Sequence, residues 1–228
     1  MIAKADVKNI YPLSPMQEGM LFHALHDEGG AYIEQLSYRI AGNIDINIFR
    51  KSWEELVRRH DVLRTIFVHK DVPRPLQIVL KQWRVDFSSV DLRGAARAEA
   101  ESRISVIKDQ DRTTPFNLAK GPLMRVMVLS LSDSEAEVVW SHHHIILDGW
   151  SAGIVQGELL EIYAVLKQGG AYPAGAGAIF RLHNLDWEAG SSGIPPLLAE
   201  LSEWIFPHSR DSPFYSPQQT SSPPWPPF

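Results

Sequence analysis

Two strand-like apolar runs, Leu123 to Leu131 and Glu135 to Ser141, are separated only by Ser132-Asp133-Ser134. Runs that close, joined by turn-forming residues, predict a β-hairpin. The second run leads into Ser141-His142-His143-His144-Ile145-Ile146-Leu147-Asp148-Gly149-Trp150-Ser151. Next comes an amphipathic run, Gly153 to Lys167, stopped by Gly169-Gly170. Imidazoles at a strand's end, a carboxylate four residues later and a glycine at the turn are how a site is built on a rigid scaffold.

The rest of the chain supplies the scaffold. Ser14 predicts an N-cap, Pro15 the first helical position, and Gln17 the second half of a capping box. Met16, Met20 and His23 then share one helical face, read as a buried one, and Gly19 leaves room for a close approach. Tyr32 to Ile40 alternates as a strand. Ile46 to His60 reads as a helix with Ile46, Phe49, Trp53, Leu56 and Val57 on one face, capped by Asn43 or Asp45. Val62 to Val68 is strand-like and holds Arg64 among apolar neighbours. That arginine is either turned to solvent or paired with a carboxylate, because burying it unpaired is too costly. Pro75 to Leu80 and Val85 to Leu92 read as short strands, Ala95 to Asp109 as a helix, and 114–122 as a loop. Residues 1–10 read as a lead-in.

Composition narrows the function classes. The 228 residues are 44% hydrophobic, ample for a core, and a net charge of -5 gives no basic footprint for nucleic acid and no cationic face for a membrane. With no cysteine, disulfides, thiolate metal sites and a cysteine nucleophile are excluded. No run reaches membrane-spanning length, so a cytoplasmic protein is the expectation.

Three readings of the histidine loop compete. On a strand, His142 and His144 point to one face and His143 to the other. His142, His144 and Asp148 form a possible metal set, but no other cluster offers a fourth ligand. A histidine hydrogen-bonded in the core is the second reading. A catalytic imidazole, taking a proton from a nucleophile, is the third. Asp148 would orient the site or pair with Arg64, settling two orphan charges at once. Gly149 keeps the wall beside the imidazole clear. Ser151 lacks a nucleophile-elbow setting.

His143-His144-Ile145-Ile146-Leu147-Asp148-Gly149 resembles the HHxxxDG motif of nonribosomal peptide synthetase condensation domains, a signature shared with chloramphenicol acetyltransferase and related acyltransferases. Ser14 to Met20 resembles the first condensation-domain motif, and Arg59 to Phe67 the second, RHxxLRTxF. Phe116-Asn117-Leu118 with Gly121-Pro122-Leu123-Met124-Arg125 resembles the stretch before the catalytic hairpin. The resemblance covers about residues 7 to 170. The wording PMQEGMLFH is similar to the subtype that accepts a D-configured donor.

The resemblance implies an α/β fold (an α+β two-layer sandwich): the N-terminal lobe of two chloramphenicol acetyltransferase-like lobes set in a V around a tunnel. It implies that His144 is catalytic, deprotonating or positioning the acceptor amine that attacks a donor thioester. It implies that His143 supports the loop, that Gly149 gives clearance, that Asp148 pairs with Arg64, and that Arg64 and Arg125 are structural supports. No metal and no directly bound cofactor are implied. Substrates arrive on the phosphopantetheine of peptidyl carrier protein domains, with an adenylation domain in the parent synthetase. A stand-alone coenzyme A-dependent acyltransferase and a non-catalytic carrier-docking remnant are the alternatives.

After Gly170 the family continues with a Tyr-x-Asp-Tyr-Ile-x-Trp stretch and then a second lobe, neither visible here. Read one base later, the codons from Ala178 onward can encode PYSDYITWIGKQD and then LRYWQNYLSGF, which resemble that continuation. The expectation is therefore a reading-frame break between about Lys167 and Ala178, a tail over 171–228 foreign to the family, and a fragment with little activity of its own. Within the tail, Ile194 to Trp204 allows a short helix, and the Pro/Ser-crowded 207–228 reads as disorder.

Overall fold

The computed structural model describes residues 3–26 and 32–173. In chain order they form β1 (Val7–Pro12), α1 (Pro15–His26), β2 (Ile33–Ala41), α2 (Ile46–Arg59), β3 (Thr65–Val68), β4 (Leu76–Leu80), β5 (Asp86–Asp91), α3 (Arg97–Thr113), β6 (Met124–Ser132), β7 (Glu135–His143) and α4 (Gly149–Lys167). The expectations for a helix over 194–204 and for disorder over 207–228 lie outside the described residues, as does the tail expected over 171–228 from residue 174 onward. The mixed α/β class is as expected.

The hairpin is the spine. β6 and β7 pair antiparallel from Met124↔His142 to Ser130↔Ala136, and the turn is held by Ser134 N donating to Ser132 Oγ at 3.2 Å. β2 adds antiparallel to β7 and β5 adds parallel to β6, giving the order β2-β7-β6-β5. Every residue of β7 from Ala136 to His143 is buried, because both faces of the strand are covered. Ala136, Val138 and Trp140 belong to a core shared with Phe49, Trp53 and Leu56 of α2 and Val155, Leu159 and Ile162 of α4. Val139 faces the other way, with Leu129, Leu92, Ala100 and Ile104 of the α3 side. Each large apolar side chain so buried contributes roughly 1.5–3 kcal/mol. β1, β4 and β3 form a second, antiparallel sheet in the order β1-β4-β3.

Local signals explain most of the ends. Asp45 caps α2, accepting from Asn47 N at 2.9 Å and Ile48 N at 3.0 Å. The capping box forms at α1: Gln17 N donates to Ser14 Oγ at 3.2 Å, and Ser14 N donates back to Gln17 Oε1 at 3.0 Å. Gly121 enters β6 at φ 56, where an added Cβ would come within 3.1 Å of Trp83 and 3.2 Å of Ile66.

Five expectations need correction. The lead-in is not all linker: β1 begins at Val7 and pairs with β4. The run Val62 to Val68 is a strand only from Thr65, because Asp61–Arg64 form a 3-10 turn that folds the Arg64 side chain back under α2. α4 begins at Gly149 rather than Gly153, because Asp148 caps it. Finally, α1 buries Leu21, with Met20 and Ala24 packed beside it, and leaves His23 exposed and Met16 72% exposed. Apolar residues at positions 16, 20, 21, 22, 24 and 25 surround that helix, so periodicity alone does not choose the face. No neighbour lies within 4 Å of a Cβ built at Gly19, so the close approach expected there is not seen among the described residues.

Candidate active site

β7 delivers the histidines. His143 N donates to Leu123 O at 3.0 Å, and one residue on, His144 N donates to Tyr32 O at 2.7 Å. Tyr32 has φ 69, an uncommon and strained conformation for a side chain of that size, and its carbonyl is what extends the ladder to His144. Ile145, Ile146 and Leu147 then plunge into the core, at 4%, 5% and 4% exposure. They pin the loop between strand and helix. Gln17, beyond its capping duty, reaches toward the Ile145 carbonyl at 3.5 Å, so the first motif braces the loop.

The three imidazoles have different fates. His142 is fully buried, edge-on to Trp140 at 4.8 Å, and neither ring nitrogen has a hydrogen-bond partner among the described residues. Burial, and secondarily its histidine neighbours, pull its pKa down to about 4. His143 is also buried, and burial first, then His144, bring it to about 4. Its Nδ1 accepts from Ile145 N at 3.1 Å, as a neutral ring can, so it ties the loop to itself. Only His144 keeps its side chain partly open, at 30% exposure. Its Nδ1 is closed to solvent and lies 3.2 Å from Glu34 Oε1.

Asp148 and Arg64 are not partners. Asp148 accepts from Ser151 N at 2.7 Å as the N-cap of α4, and Ser151, through its side chain first and its backbone N–H second, holds the carboxyl below the usual range. Arg64 is buried, and its five N–H donors are spent elsewhere: on Val57 O at 2.9 Å, Arg58 O at 3.2 Å, Leu80 O, Lys81 O at 3.2 Å and the Asp61 carboxylate. Two of those acceptors are end carbonyls of α2, which need a donor and favour a cation. With every donor used, nothing remains for Asp148. Arg64 therefore ties the end of α2 to β4. Arg125 acts likewise. It donates to Asp111 Oδ1 at 2.8 Å, Asp111 O at 2.9 Å and Thr114 O at 2.9 Å, and stacks over Phe116 at 4.0 Å, fastening the end of α3 to β6.

Gly149 is exposed, and a Cβ there would meet nothing within 4 Å. No described neighbour therefore requires a glycine at this position. A cavity of about 770 Å³ lies behind the loop, lined by Phe116, Leu118, Ile33 and His143 among others; His144 does not line it. Among the described residues, no group of three His, Asp or Glu side chains is placed to hold a metal, and His142 is bound into the core. No helix among them is long and apolar enough to cross a membrane.

Sequence reasoning missed two buried carboxylates and one exposed one. Glu158 of α4 is 1% exposed and meets Arg59 Nε and His60 Nε2, both at 2.6 Å, locking α4 to α2. Its place among Val155, Leu159 and Ile162 was the available signal: a charge on an apolar face needs a partner. Asp111 gathers Arg125, Ser141 and Gln35, the last at 2.8 Å. Glu34, beside His144, had no signal in the string.

A mixed sheet with helices packed against it, carrying the histidine loop at the end of a buried hairpin, is a fold of the chloramphenicol acetyltransferase type. Solved condensation domains share this fold. The first condensation domain of the CDA synthetase aligns with TM-score 0.68 at 22% identity, covering 75% of this chain and 43% of that one. The starter condensation domain of rhizomide synthetase aligns with TM-score 0.65 at 24% identity, covering 74% and 40%. The condensation domain family model matches residues 7–183, and the chain belongs to that family. It is 41% identical over 168 residues to tyrocidine synthase 2 of Brevibacillus parabrevis, covering 73% of this chain and 5% of that protein. To surfactin synthase subunit 3 of Bacillus subtilis it is 39% identical over 167 residues, covering 73% and 13%. The chain thus spans a small fraction of these relatives and about two fifths of the solved domains.

Proposed function

We propose that the chain is the histidine-bearing lobe of a condensation domain that joins a donor aminoacyl or peptidyl thioester to an acceptor amine. Both substrates are carried on the phosphopantetheine of peptidyl carrier protein domains, loaded by adenylation domains of the same synthetase. The acceptor nitrogen attacks the thioester carbonyl, the C–N bond forms, and the C–S bond breaks. The proton leaving the nitrogen passes to His144 Nε2 and on to the departing thiolate. The observation that carries this reading is the division among the three histidines. His142 and His143 are buried, and His144 alone is half-open at the end of the ladder. General-base help of this kind is worth roughly 10²–10⁴-fold in rate.

The test is a condensation assay in a polypeptide carrying the whole domain, with carrier-loaded donor and acceptor. His144→Ala should lower turnover by about 10²-fold or more, and the same donor on coenzyme A should be poorly used. Turnover unchanged by His144→Ala would reduce the lobe to a docking module. Equal use of the coenzyme A donor would make it a stand-alone acyltransferase.

A further inference from the structure

Nδ1 of His144 is sealed from solvent and has no aligned hydrogen-bond partner among the described residues. A buried polar atom without a partner is rare, and the acceptor within reach is Glu34 Oε1 at 3.2 Å. A small turn of ring or carboxylate completes that bond. Asp148, which the motif suggested as the orienting group, is turned to the α4 N-terminus instead.

We propose that Glu34, the second residue of β2, is the positioning residue of His144: its carboxylate accepts the Nδ1 proton, and this leaves the Nε2 lone pair facing the substrate side. The register places it there. Glu34 pairs with His142 across the β2–β7 ladder, on the face that His142 and His144 share. Tyr32, two residues earlier on the same segment, receives the His144 N–H at 2.7 Å. One edge segment therefore holds both the backbone and the ring of the catalytic residue.

The inference rests on the catalytic reading of His144, but its test does not depend on turnover. Long-range ¹H–¹⁵N spectra of the ¹⁵N-labelled chain report which ring nitrogen of each histidine carries the proton, with His144 assigned by its loss in His144→Gln. The unmodified chain should show His144 mainly as the Nδ1–H tautomer. Glu34→Gln keeps an acceptor oxygen and should retain that form. Glu34→Ala should lose it as the major form. His143 is the internal control: its Nδ1 accepts from Ile145 N, so its signal should be Nε2–H throughout. Should Glu34→Ala lose that control signal through unfolding, the unmodified chain and Glu34→Gln decide alone. His144 found as Nε2–H in the unmodified chain, or with the same tautomer in a folded Glu34→Ala chain, overturns the proposal. Neither result would touch the condensation assay.

Discussion

At the C-terminal end of α2, Arg59, His60 and Arg64 have partners for their side chains in Glu158, Asp61 and five carbonyls, Pro173 among them. At the end of β7, among the described residues, His142 has no partner for either ring nitrogen, and His144 has one unaligned neighbour. Both corners come from signature-like stretches, and both are rich in cations or imidazoles. The first spends its polar atoms on holding helices together. The second leaves them unpaired among the described residues. Architecture demands saturation, since a buried charge without a partner is costly, while the catalytic role proposed for His144 calls for capacity held in reserve.

Acid should separate the two corners most strongly. The folded-state values of His142 and His143 are depressed to about 4 from 6.5 by burial. Below pH 6.5 the unfolded chain binds protons that the folded chain refuses, so stability is full above that pH. It falls as pH drops from 6.5 to about 4, by about 3 kcal/mol for each histidine. Urea unfolding at a series of pH values measures this slope, and His142→Leu should remove about half of it. A flat profile between pH 6.5 and 4 would mean that these rings are not held neutral in the core. Glu158 adds its part lower down. Burial opposes its charged form, but hydrogen bonds from His60 and Arg59 prevail and depress its pKa. Its contribution is therefore present above the ordinary glutamate range and is lost as pH falls through the lowered value.

Truncation should show the same contrast from the other side. Glu158→Ala leaves Arg59 and His60 buried without a carboxylate and should cost about 3–5 kcal/mol in denaturant unfolding. His144→Ala, at a half-open position with no aligned side-chain bond, should cost under about 0.5 kcal/mol. Similar costs for the two would erase the distinction between a saturated corner and a reserved one. Asp148→Ala lies between them. It removes the cap of α4 and should cost about 1 kcal/mol, with Asp148→Asn, which still caps, costing far less.

What the sequence made legible was local. The Ser14/Gln17 capping box, the Asp45 cap, the apolar face of α2 and the Ser132-Asp133-Ser134 hairpin are all decided within a few residues, and each forms. The three histidines were assigned unequal roles by resemblance; their burial differs too, with His142 and His143 closed and His144 partly open. What stayed hidden was pairing across the chain. Glu158 finds Arg59 from 99 positions away, and Glu34 reaches His144 only because β2 lies on β7 in one register. The string also misled where one residue had two possible duties. Asp148 was read as a counter-ion when it is a cap, and so the start of α4 was placed four residues late.

That misreading gives the sharpest remaining experiment, and the smallest expected effect. If Arg64 and Asp148 formed an ion pair, removing both would cost less than the sum of removing each, with a coupling of 0.5–3 kcal/mol. The structure gives them no common partner: Arg64 is filled by carbonyls and Asp61, and Asp148 is held by Ser151. A double-mutant cycle of Arg64→Met and Asp148→Asn should therefore be additive within about 0.5 kcal/mol in unfolding free energy. Arg64→Met alone carries the large term, because five carbonyl and carboxylate contacts go with it; Asp148→Asn alone is nearly silent, because asparagine still caps. A coupling above about 1 kcal/mol would return Asp148 to the role of counter-ion. It would also tie the two corners into one network, and the contrast between them would have to be redrawn with the loop as part of the saturated scaffold.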